Sequence, residues 1–349
     1  MKKSAFLILL FVFSFVFGEL SAASYEFKII GMKGDVKVKT AKKNKWIKAK
    51  TAGKLGKKDR IKLGKNSYVG LVHKNGKTIE LKKRGEYKIS SLMKKVKKKG
   101  SDVSSKFADY VSEEISETDD LFASGDYQEN MGTTGAVERA TDNDRNSEGK
   151  ISSMTGLDEN EFSGLNETMS FLNSFESDKL EVRIPKVSYV IDEVVLFSWY
   201  AKDGVSKYKF ELYDAKNKMI YTEETDQIAL VLNLREKGIK EGKCYYWHIK
   251  AGEEVSDESC IFLVGKQRSD EIKEMVNSIE STYDEDSATR YLVLAQLYDD
   301  ENLQNRADIA YQKALELSPD TEGYKRLYAK YLLKLGLKDE AMEIAGEKK

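Results

Sequence analysis

The side chains with chemistry to offer in this chain of 349 residues are two histidines, two cysteines and a dense run of lysines. His73 and His248 lie far apart and in different predicted domains, so they form no catalytic pair. His73 stands beside a hairpin tip and is expected to be solvated, while His248 alternates with Trp247 and Ile249 and is expected to face outward. No H-E-x-x-H, no G-x-S-x-G, no phosphate-cradling glycine loop and no Cys/His quartet occurs. Asp299, Asp300 and Glu301, like the acids around Asp119, read as solvated charge, because nothing nearby would desolvate a carboxyl into a general acid. The pattern points to no enzyme, no cofactor and no metal site.

The N-terminus reads as a signal peptide at residues 1–23: Lys2 and Lys3, an apolar run from Ala5 to Phe17, then Gly18 and the small residues Ser21, Ala22 and Ala23. The run is shorter than the ~20 residues a membrane-spanning helix needs. No cysteine near the expected cleavage point could take a lipid. The chain is therefore expected to be exported, to a periplasmic or extracellular location.

In that compartment a disulfide between Cys244 and Cys260 is permitted, and Gly252 to Asp257 supply a turn between the strands that carry them. Alternation, however, sets Cys244 on the outer face and Cys260, with Phe262, on the inner one. A disulfide and two separate thiols both stay open.

Charge is unevenly spread. Residues 24–100 carry 26 Lys and Arg against 5 acids, whereas 101–180 carry 5 against 19, although the formal net charge of the whole is zero. Lys37, Lys39, Lys42, Lys43, Lys45, Lys48 and Lys50 outnumber any acids in their segment, which makes an anionic ligand the sharper reading. Outside the cytoplasm that means acidic cell-wall polymer, anionic lipid or an acidic protein, and no nucleic acid. The plainer reading is a lysine-rich β domain neutralised by the acidic segment that follows it.

These charges must be positioned by the elements around them, and the chain of this length divides into several modules. Residues 24–92 show short alternating strands, with Asn75-Gly76 as a hairpin tip between Tyr68–His73 and Thr78–Leu81. The order Gly34, Val36, Val38, Trp46, Ala49, Gly53, Leu55, Asp59, Ile61, Gly64, Ser67, Leu71, Gly76, Ile79 and Leu81 resembles a FecR-type extracytoplasmic domain over about 60 residues. Lys58 and Asn75 depart from that family's pattern, which has Gly before Asp59 and Asp before Gly76. The resemblance implies a small all-β domain. The family's best-known signalling activity runs through a cytoplasmic segment and a membrane helix not seen here, and is not carried over.

Residues 93–179 read as an acidic, largely disordered linker, with one short amphipathic helix at 102–117 carried by Val103, Phe107, Tyr110 or Val111, and Ile115. Residues 180–265 alternate cleanly, as in Val195, Phe197 and Trp199, and predict a β-sandwich. Trp199 with Tyr245, Trp247, Ile249 and Ala251 resembles a fibronectin type III or immunoglobulin-like module. From Ser269 to Lys349 the period becomes helical. Tyr291, Leu294, Ala295, Tyr298, Ala307, Tyr311, Ala314 and Pro319 fall on the offsets of a tetratricopeptide repeat, and Tyr328, Ala329, Leu332 and Ala341 on those of a second. The helix from Asp270 to Tyr283 reads as a cap. Two repeats are fewer than the usual three or so, so docking on the sandwich or on a partner must supply contacts.

The sequence thus predicts a multi-domain chain: a small all-β FecR-like domain, a β-sandwich and C-terminal α-helical repeats. The functional expectation is a non-enzymatic cell-envelope adaptor or scaffold, with an anionic ligand on the lysine-rich domain and a protein partner on the repeats. The alternative is an extracytoplasmic signalling or assembly factor. Mass spectrometry of the exported protein should find Ser24 at its N-terminus with no lipid attached; an uncleaved Met1 would contradict this.

Overall fold

The computed structural model describes residues 25–96, 101–124, 176–177 and 179–346. The expected signal peptide at 1–23 and the acidic stretch from 125 to 175 lie outside the described residues. Sheets fill the first and middle parts of the chain, and helices its C-terminal part.

The first β unit has two four-stranded sheets. One runs β4 (Lys54–Leu55), β1 (Phe27–Lys33), β6 (Tyr68–His73), β7 (Thr78–Leu81). The other runs β3 (Trp46–Lys48), β2 (Val36–Lys39), β5 (Arg60–Leu63), β8 (Gly85–Lys88). Alternation sends Val36, Val38, Ile61 and Leu63 inward to meet Phe27, Ile29, Val69 and Leu71. The short helix α1 (Ile89–Leu92) adds Ile89 and Leu92. The continuous apolar run of β6 marks a strand covered on both faces: Tyr68 and Val72 belong to the core of the helical region. A bulge between Ile29 and Gly31 turns Ile30 the same way.

Helix α2 covers Asp102–Ser124, longer than the expected 102–117, and it is not a loose piece of linker. Phe107, Ala108, Val111 and Ile115 are buried, and Tyr110 is exposed.

The middle unit is a sandwich. One sheet is β10 (Val182–Ile184), β12 (Val194–Trp199), β16 (Ala229–Asn233); the other is β11 (Val187–Val190), β19 (Ser259–Leu263), β17 (Cys244–Ala251), β14 (Tyr208–Tyr213), β15 (Met219–Thr225). Three short strands sit at its margins: β18 (Glu254–Val255) on β17, and β9 (Glu176–Ser177) alongside β13 (Ala201–Lys202). Phe197, Trp199, Phe210, Tyr245, Trp247 and Ile261 fill the space between the sheets. Cys244 and Cys260 form a disulfide, with Cα atoms 5.9 Å apart. The expectation that they point to opposite faces is corrected by the register: Cys260 lies opposite Tyr246, and Cys244 opposite Phe262. It is Ile261 that enters the core, so both sulfurs share the outer face and meet along the diagonal.

Five helices follow: α3 (Lys266–Glu280), α4 (Ala288–Asp300), α5 (Gln304–Leu317), α6 (Glu322–Lys334) and α7 (Lys338–Ala345). The cap helix starts earlier than the expected Asp270. α4 packs against α5 and α6 against α7, with Ala295, Ala307, Ala314, Ala329 and Ala341 buried where small residues permit close approach. Leu294, Tyr298 and Tyr311 are buried too, Tyr291 is partly so, and Pro319 is exposed just beyond α5.

Both sides of this helical stack are covered. The second helix of each pair faces the sandwich, where Arg183 of β10 is 1% exposed between two carboxylates. Its Nε and Nη2 donate to Glu340 of α7 at 2.6 and 2.8 Å, and Nη1 and Nη2 donate to Asp308 of α5 at 2.8 and 3.1 Å. Tyr200 donates to Glu340 at 2.7 Å and Tyr328 to Asp308 at 2.6 Å. Burial opposes the charge on Arg183, but Asp308 and Glu340 outweigh it and raise its pKa above the ordinary guanidinium value. The first helices, α4 and α6, face α2 and the first β unit. There the ring of Tyr324 lies over Gly31 and Gly70, which are paired across β1 and β6. A Cβ on either glycine would come within 2.5 or 2.8 Å of that side chain. The hairpin tip is pinned as well: Tyr283 donates to the Gly76 carbonyl at 2.7 Å and Ser105 to that of Asn75 at 3.0 Å.

Replacing Arg183 by Met leaves two buried carboxylates without their cation, which should cost about 3–5 kcal/mol. Urea unfolding should show that loss, and a variant in which Asp308→Leu and Glu340→Met accompany the change should recover much of it.

Candidate functional site

The expected anion-binding lysines do not all come together. Lys37, Lys39 and Lys48 project from one face of the sheet β3-β2-β5-β8, because each alternates with the inward Val36 and Val38 or pairs with a residue that does. Lys42, Lys43 and Lys45 sit in or beside the turn between β2 and β3, at the end of the same sheet. Lys50 follows β3 and lies on no strand.

The structure adds residues that the sequence reading missed. Register places Lys48, Lys37, Lys62 and Glu86 in one row across the four strands, and Trp46, Lys39, Arg60 and Lys88 in the next. Neighbours within a row are about 5 Å apart and the rows about 7 Å apart. Arg60, Lys62 and Lys88 were legible as outward residues only once the strand order brought β5 and β8 beside β2. Two carboxylates answer this face: Glu86 accepts from Arg60 at 2.6 Å, and Asp35 pairs with Lys37 at 3.1 Å. Among the described residues, no carboxylate pairs with Lys39, Lys42, Lys43, Lys45, Lys48, Lys62 or Lys88. Like charges set directly opposite one another on a sheet repel and destabilise it. Such an arrangement gains from a bound anion.

The described part of the acidic segment does not neutralise this face. Asp109 of α2 pairs with Lys28 at 3.4 Å, on the sheet docked to the helices, and Glu114 pairs with Lys330 of α6. Among the described residues, β2, β3, β5 and β8 pack mainly on one another and on α1, and the close contacts with the later helices come from the other sheet of this unit.

The other expectation is a protein partner on the C-terminal helices, and there the surface of the first helix of each pair is covered by the chain itself. α2 lies against α3, α4 and α6, and Phe107, Val111 and Ile115 share one core with Leu294, Tyr324 and Leu327. Ser104 donates to Thr282 at 3.0 Å, and Lys106 pairs with Asp300 at 3.4 Å.

Several residues read as solvated are corrected. His73 is largely buried against Phe27, 3.6 Å from Glu26, and its Nδ1 accepts from the Asn75 amide at 3.2 Å. Asp299 accepts from Lys334 at 2.6 Å, and burial pushes its carboxyl above the usual range. Glu301 accepts from Arg268 at 2.6 Å. His248 does lie on the outer face, within 3.0 Å of Glu211. Burial of Glu211 opposes its charge, yet Lys209, Lys250, Tyr213 and His248 all bond to it and hold it ionised well below the usual carboxylate range. Among the described residues no group of three or more His, Cys, Asp or Glu could hold a metal ion, and no helix is long and apolar enough to cross a membrane. No family model matches the chain, and no curated protein matches it.

Val111→Asp sets a carboxylate at a fully buried position in the apolar contact between α2 and the helices, a change that should free α2 from them. Hydrogen exchange should then lose protection across residues 103–115 while β14 and β17 keep theirs.

Proposed function

We propose that this chain is a non-enzymatic adaptor of a bacterial type of cell envelope, which holds an anionic envelope component on the outer face of the sheet β3-β2-β5-β8. The observation that carries the reading is the pair of cross-strand rows in which Lys37, Lys39, Lys48, Arg60, Lys62 and Lys88 stand together on one face of the sheet. Export rests on the pattern of residues 1–23, and the Cys244–Cys260 bond is in keeping with an oxidising compartment. In this reading the first unit is a FecR-like domain, the sandwich a fibronectin type III or immunoglobulin-like spacer, and the helix pairs tetratricopeptide-like repeats. The order of strands in the two sheets of the sandwich supports the second of these assignments, and the two consecutive helix pairs support the third.

A second reading, a signalling or assembly factor, draws on α2. A protein partner that reached the first helices of the repeats would have to displace α2, and the chain would then report the partner's arrival.

The test is co-sedimentation of the exported chain with purified cell wall and with vesicles containing phosphatidylglycerol, across a salt series. Attraction between exposed charges is screened over about 10 Å at 0.1 M salt, so binding should fall steeply as salt rises. Lys37→Glu, Lys39→Glu and Lys62→Glu together should weaken it at least tenfold without changing the circular dichroism spectrum. Binding that ignores both salt and the triple reversal would refute the anion-holding role.

A further inference from the structure

Trp46 belongs to the cationic face and not to the core of its domain. It stands on the edge strand β3 opposite Lys39, half-buried, with the Lys62 ammonium 5.8 Å from its ring centroid. The chain has three tryptophans, and the other two, Trp199 and Trp247, are 0% exposed inside the sandwich. An aromatic ring at the end of a row of cations is a combination that charge alone does not call for.

We infer that the ligand of this face is an anionic polysaccharide, laid across the strands so that a sugar ring stacks on Trp46 while its carboxylate or phosphate groups meet Lys39, Arg60 and Lys88 and the parallel row Lys48, Lys37 and Lys62. The inference rests on the anion-binding reading above and narrows it.

Three features favour a glycan chain over other anions. Each row sets three cations about 5 Å apart on three adjacent strands, a span of about 10 Å that suits an extended polymer and exceeds the reach of a single small anion. The negative π face of an indole attracts the weakly positive C–H groups on the flat side of a pyranose, an interaction that a sugarless polyanion does not offer. Against a lipid surface, the face carries no protruding apolar group to enter a bilayer. Ile47, 41% exposed, pairs with the inward Val38 and so lies on the opposite side of β3 from Trp46. Trp46 itself sits beside Lys62 and does not stand clear of the sheet.

Intrinsic fluorescence of the full exported chain reads this site directly, since Trp46 is the tryptophan that solvent reaches. Four probes separate the sources of anion: polygalacturonate, inorganic polyphosphate, phosphatidylglycerol vesicles and neutral dextran. Polygalacturonate should bind with a change in emission, and Trp46→Ala should weaken that binding about five- to tenfold, the scale of one lost aromatic contact. The same variant should leave polyphosphate binding within twofold, and Trp46→Phe should restore most of the glycan affinity. Unfolding in urea confirms that both variants stay folded. If polyphosphate binds as tightly as polygalacturonate and Trp46→Ala alters neither, the glycan inference fails and simple anion binding survives. If vesicles bind more tightly than the glycan, the ligand is a lipid surface and the inference fails. If no polyanion binds, the anion-holding function fails with it.

Discussion

Two helix pairs have two apolar sides and too few neighbours to cover either. A longer array would bury most of each repeat between its neighbours, but here α4–α5 and α6–α7 must find cover elsewhere in the chain. They find it on both sides: the sandwich lies on α5 and α7, and α2 with the first β unit lies on α4 and α6. The helical region is therefore the piece around which the rest is assembled, although it comes last in sequence. On the sandwich side the contact is fixed by the Arg183 cluster. Burying one guanidinium with two carboxylates gains little net stability, because desolvation offsets most of the attraction. What it supplies is registration, since a planar guanidinium bonded to Asp308 on α5 and to Glu340 on α7 admits one placement of β10 over two helices.

On the other side the constraint is steric. Gly31 and Gly70 stand opposite one another on β1 and β6, and the gap they leave takes the ring of Tyr324. Gly76 meets two requirements at once: φ near +83°, which suits the tip of a hairpin, and an approach so close that a Cβ would fall 2.3 Å from the Ser105 hydroxyl. The first β unit thus gives one of its two sheets to the helices. Its cations are not spread evenly over what remains, but lie in rows on the far sheet, where among the described residues Glu86 and Asp35 relieve their mutual repulsion only in part.

The sequence disclosed those parts whose signal is periodic. Alternation in Val36–Lys39 and Val195–Trp199, the Asn75-Gly76 turn, and the small residues spaced along α4 to α7 each follow from local chemistry, and the structure has elements there. It disclosed less where an element is defined by what it touches. The apolar residues of α2 were visible as a helical stripe, yet nothing in their spacing said that the stripe would fill the surface of the two helix pairs. The unbroken apolar run of β6 held a signal for burial on both faces that alternation alone obscures. Arg183 reads as one more strand cation among many, and its two partners lie more than a hundred residues downstream. Misplacing Cys260 was an error of one residue in phase, which in a strand is enough to exchange the faces.

The arrangement also bears on whether the chain anchors or senses. A ligand shifts a conformational equilibrium only through a difference in its affinity for the two states. The cationic rows lie on β3, β2, β5 and β8, and contacts that hold the β unit to the helices come from β1, β6, the tip between β6 and β7, and β7 itself, where Glu80 accepts from Ser287 and Thr289. An anion confined to the rows meets the same side chains whether that docking is made or broken, so binding it supplies no free energy for release. A partner at α4 and α6 is different, because it competes with Phe107, Val111 and Ile115 for the same surface. Holding an anion and responding to a protein, the two roles proposed above, are therefore separable on this fold, because the cationic rows and the surface that α2 covers lie on different elements.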